Sequence, residues 1–180
     1  MTENLIEQFV SPDTIQAHKD LLSSEDESVI KSAAVKLVDD TLGTGSEFSS
    51  IIKSEDSETK LISSFHNNVL LLIQKTWVEQ SDASLKAEVL YKLDEFTKSL
   101  KAKDYISVYS QFIDIVNNTV YLMFGSQTKN KDFESYALRI DPEFGIFWWY
   151  ITSLPKEDNE WSSTKSHLAI LLGMYFLANY

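Results

Sequence analysis

Apolar residues in this chain recur every three or four positions, and that period sets the element type. Ile62, Phe65, Val69, Leu72, Ile73 and Trp77 share one face of a helix. Leu85, Val89, Leu93, Phe96 and Leu100 share a second, and Tyr105, Tyr109, Phe112, Ile113, Val116, Val120, Met123 and Phe124 a third. These stripes predict long helices over 59–79, 84–100 and 104–124. The connections near 80–83 and 101–103 are short enough to force antiparallel neighbours, which should bring Phe96 close to Tyr109 or Phe112. No segment alternates apolar and polar residues over the length of a strand. The expected fold is therefore all-α, an irregular bundle of about seven or eight helices with the three long antiparallel ones at its centre.

Turn and cap residues mark the remaining elements. Ser11 before Pro12 gives an N-cap followed by proline at the first helical position, where its missing N–H is harmless. Ser24-Glu25-Asp26-Glu27 reads as a capping box. Helices are thus expected over 12–22 and 25–42, the second burying Ile30, Ala33, Ala34, Leu37 and Val38 and ending at Gly43. Residues 43–58 are rich in glycine and serine and predict a linker, with a single helical turn at Phe48, Ile51 and Ile52. Gly125 stops the third long helix, and a polar loop leads to a short helix over 132–139. Asp141 caps and Pro142 starts a helix that Pro155 ends, and a last helix runs from about 162 to the terminus. The chain reads as one domain, 1–180, with an acidic, more mobile part at 1–58 and the bundle core at 59–180.

The helix after Pro142 contains FGIFWWYITSLP, with aromatic rings at Phe144, Phe147, Trp148, Trp149 and Tyr150. On a helical wheel Phe144, Phe147, Trp148, Ile151 and Leu154 share one face, while Ile146, Trp149 and Tyr150 lie on the other. A helix that is apolar nearly all round needs cover on both sides, expected from the long hairpins on one and from the 162–180 helix, a dimer mate or a bound ligand on the other. Trp149, Tyr150 and Phe147 are therefore candidate partner- or ligand-binding residues, together with Trp161 and Arg139. Arg139 is the sole arginine of the chain. Its planar guanidinium grips a carboxylate with two parallel hydrogen bonds, a geometry lysine does not reproduce.

Composition narrows the function classes. A chain of 180 residues is long enough to bury about 70% of its unfolded surface. It has no cysteine, which removes disulfides and thiolate chemistry and suits a reducing compartment. The net charge is −11, and residues 1–60 alone hold 13 acids against 5 lysines. Nucleic acid and anionic membranes repel such a surface. The N-terminus carries acids where a signal peptide has basic residues, so a cytoplasmic location is expected. The apolar run at 168–180 is shorter than the roughly 20 residues a membrane span needs and reads as a core helix.

Sequence motifs for catalysis are missing. His18, His66 and His167 form no metal-binding spacing, and GTGS at 43–46 lacks the ending of a phosphate loop. Neither a cofactor nor a metal is expected. The reading is a non-enzymatic interaction module, acting on a protein partner or by self-association. Its alternatives are a helical binding protein for an apolar or amphipathic small molecule and an enzyme built on His66, Arg139 and carboxylates. A drug-sized cavity beside Arg139 would favour the binding protein, a flat exposed aromatic patch the module, and His66 within hydrogen-bond reach of a carboxylate in a cleft the enzyme.

Overall fold

The computed structural model describes residues 5–75, 83–155 and 161–180, and within them every regular element is helical. The elements are α1 (Pro12–Ser23), α2 (Glu27–Leu42), α3 (Gly45–Lys53), α4 (Glu55–Gln74), α5 (Ala83–Lys101), α6 (Tyr105–Phe124), α7 (Phe133–Ile140), α8 (Pro142–Ser153) and α9 (Ser163–Asn179). A 3-10 turn, Gly125–Lys129, occupies much of the expected polar loop before α7. Trp77 and most of the turn near 80–83 lie outside the described residues.

Local caps fix many helix starts. Ser11 Oγ accepts from the Thr14 amide at 3.2 Å, with Pro12 opening α1. Asp104 accepts from the Ser107 amide and starts α6. The expected capping box is displaced by two residues: Asp26, not Ser24, accepts from the amides of Ser28 and Val29. Ser24 instead accepts from the Asp26 amide, folding the turn that presents that carboxylate.

The expected linker at 43–58 is also corrected. Gly43 ends α2, but Gly45–Lys53 is a full helix and Ser54 caps α4 four residues earlier than the apolar stripe suggests. Burial explains it, because Phe48 is fully enclosed and its ring lies 5.2 Å from that of Tyr175 on α9. Packing of one large ring overrides the weak helix propensity of glycine and serine.

The three long helices meet at Phe65, Phe96 and Phe112, with ring centroids 5.9 to 6.3 Å apart. The Phe96–Phe112 approach agrees with the tight turn at 102–104, where Lys103 takes a positive φ of 60°. Against this trio lies α9, in which every residue from 168 to 177 is buried. It packs on α2, α3, α4, α6 and α8, so the final helix fills the middle of the bundle. The N-terminal helices join the same apolar core through Ala17, Leu21, Ala34, Leu37 and Phe48.

Candidate functional site

The α7–α8 corner is built by Asp141 and Gly145. Asp141 Oδ1 accepts from the Phe144 amide at 3.1 Å, and Oδ2 accepts from the Tyr180 hydroxyl at 2.7 Å. At Gly145 a Cβ would stand 2.6 Å from both the Cα and the N of Leu138. Only glycine lets the two helices approach so closely. The tight corner leaves α8 with two separate flanks.

One flank joins the main core. Phe144, Phe147, Ile151 and Leu154 are buried there, with Phe147 5.7 Å from Phe176 and the half-buried Trp148 edge-on to Phe133 at 5.4 Å. Tyr150, assigned by the wheel to the opposite face, also packs into this core, 6.3 Å from Phe176. Its hydroxyl has no hydrogen-bond partner among the described residues, and burial pushes its acidity well below that of an ordinary phenol. Trp161 is buried as well, its ring 5.5 Å from that of Tyr109. Three of the five candidate contact residues, Phe147, Tyr150 and Trp161, are thus enclosed and present no outer surface.

The other flank carries Ile146 and the half-buried Trp149 in a second, small apolar cluster. Leu138 joins it from α7, and Leu5, Ile6 and Val10 from the segment before α1, with Ile15 at the edge. The chain's own N-terminal segment therefore supplies this cover, where the 162–180 helix, a dimer mate or a bound ligand was expected. His18 of α1 completes it, with its ring 4.2 Å from Trp149 and 5.7 Å from Tyr150. His18 is only 4% exposed, and neither ring nitrogen has a partner among the described residues. Burial alone lowers its pKa from 6.5 to about 4, so the imidazole is neutral near pH 7.

Arg139 is the one candidate on the outside. It is exposed on α7, and among the described residues it makes no ion pair. Beside it stand Tyr136, 37% exposed, and Ile140, 54% exposed. Tyr136 and Ile140 escaped the sequence reading, although their spacing of four places them on one helical face, with Arg139 at its edge three positions after Tyr136.

Elsewhere, His167 Nε2 lies 3.3 Å from Glu58 Oε2 and its ring stacks on Tyr105 at 3.7 Å. His167 and Tyr105, but not Glu58, border a cleft of about 150 Å³ that Lys31, Ile52, Ser163 and Leu168 also line. Among the described residues the histidine–carboxylate hydrogen bond forms at His167, where His66 was anticipated. Among the described residues no group of histidines and acids could hold a metal ion, and no helix is long and apolar enough to cross a membrane. No protein-family model, curated protein or solved structure matches this chain.

Proposed function

We propose that this chain is a non-enzymatic protein-interaction module whose partner binds the outer face of α7, with Arg139 as its anchor. The observation that carries the reading is an exposed arginine, without an ion pair among the described residues, on the same stretch of α7 as an exposed tyrosine and an exposed isoleucine. Arginine and tyrosine are the residue types that concentrate binding energy at interfaces. A partner carboxylate would take the guanidinium fork while apolar side chains cover Tyr136 and Ile140. The chain's net charge of −11 favours a partner that is basic outside this contact. A composition without cysteine agrees with action in the cytoplasm.

The test is affinity isolation of the tagged full chain from its native cells. Tyr136→Ala with Arg139→Ala should deplete the captured partner about tenfold or more. Leu90→Ala with Tyr91→Ala, which alters exposed residues on α5, should leave capture unchanged. Equal capture by both double variants, each with wild-type circular dichroism, overturns the reading.

A second reading, an enzyme, draws on the Glu58–His167 contact, since a carboxylate that orients an imidazole prepares it as a general base. Turnover in a screen of activated esters that disappears in His167→Gln, with the fold intact, would support it. A rate equal to that of the variant would remove it.

A further inference from the structure

Resting on the interaction-module reading, we infer that the flank formed by Leu138, Ile146 and Trp149 is a second half of the docking surface. Its occupant is an apolar helical turn of the partner, and the chain's own residues 5–10 hold its place as an intramolecular competitor. The observed occupant defines the chemistry of the incoming one. Leu5, Ile6 and Val10 face the flank, two adjacent apolar side chains and a third one turn later, while Phe9 of the same segment stays 36% exposed.

Four features make this segment displaceable. Its apolar contacts form a cluster separate from the main core, so lifting it leaves that core intact. Its backbone bonds are local: the amides of Gln8, Phe9 and Val10 donate to the carbonyls of Leu5 and Ile6. The start of α1 does not depend on it, because Ser11 caps that helix with its own side chain and Pro12 follows. Last, the covered flank is imperfectly satisfied at its edge, where both nitrogens of His18, its ring 4.2 Å from that of Trp149, are buried and unpartnered among the described residues. Buried polar atoms are almost always paired, so this closed arrangement competes less well than a satisfied one. The flank shares α7 with the outer face, because Leu138 immediately precedes Arg139. A partner can hold Arg139 from outside and insert its apolar turn where residues 5–10 now lie.

Effective concentration keeps the flank closed in the free protein, since a tethered segment competes at about millimolar strength without any added affinity. Weakening the segment should therefore open the site to the same sequence added in trans. The probe is a fluorescein-labelled peptide of residues 1–11, titrated by anisotropy against the full chain carrying Ile6→Glu and Val10→Glu. That variant should bind the peptide saturably and about tenfold or more tighter than wild type, and adding Trp149→Ala should remove the binding. A folded variant that binds no better than wild type overturns the inference. Should the variant fail to fold, native-state amide exchange of the wild type decides. Exchange at residues 8–10 well ahead of α6 supports a displaceable segment, and exchange only through global unfolding refutes it. Partner capture through Tyr136 and Arg139 reads the outer face alone, so either result can fail while the other stands.

Discussion

Acidification should loosen this protein well above the pH at which most of its carboxylates titrate, and His18 is the reason. The imidazole is neutral in the fold because burial lowers its pKa from 6.5 to about 4. The unfolded chain takes up the proton first as the pH falls, so the stability contribution is complete above about pH 6.5 and lost on the way down to the folded pKa. A difference of about 2.5 units corresponds to about 3 kcal/mol in full, of which about 2 kcal/mol is gone by about pH 5. Against a typical total of about 5–15 kcal/mol this is a large share. The assay is urea unfolding followed by far-UV circular dichroism at about pH 7 and about pH 5, for the wild type and for His18→Phe. Phenylalanine keeps a ring against Trp149 while removing both unpartnered nitrogens, so the variant should be as stable as wild type or more so near pH 7. Its stability should also change little between the two pH values. Parallel losses in the two proteins would show that His18 is not the group responsible.

Other substitutions read the packing. Phe147→Ala should cost about 3–5 kcal/mol in thermal or chemical melts, and Trp149→Ala clearly less, because the half-buried Trp149 packs only against the smaller cluster; equal losses would contradict the two-flank description of α8. Gly145→Ala should destabilise by more than about 1 kcal/mol, since the new methyl would meet the Leu138 backbone, and unchanged melting would refute that close approach. Breaking the exposed Lys103–Glu55 ion pair with Lys103→Ala should leave the urea unfolding midpoint close to that of wild type. A clear drop would show that the pair is coupled to the fold of α4 and α6.

The parts of the fold legible in sequence were those governed by neighbours along the chain. Ser11-Pro12 and Asp141-Pro142 mark helix starts because capping needs only a side chain and an amide two or three residues on. The stripes of α4, α5 and α6 likewise locate Phe65, Phe96 and Phe112 without reference to distant partners. Residues 43–58 were misread because the decisive contact, Phe48 on Tyr175, joins positions more than a hundred residues apart. At the candidate site the wheel separated Phe147 from Trp149 correctly, while Tyr150, at the border of the two faces, fell to the main core. Periodicity says that a face must be covered but not by what, so the last helix, a dimer mate or a ligand was expected where His18 and the segment bearing Ile6 and Val10 lie. Tyr136 and Ile140 were overlooked for the opposite reason, since apolar residues at helical spacing are usually buried and here they are exposed.

The outer face of α7 is tested most directly by placing a photo-crosslinking amino acid at position 136 of the tagged full chain in its native cells, with the same residue at position 91 of α5 as the comparison. The account predicts a discrete protein adduct from position 136 that disappears when Arg139→Ala is added, and no such adduct from position 91. The same adducts from both positions, or an adduct at 136 indifferent to Arg139, would contradict it.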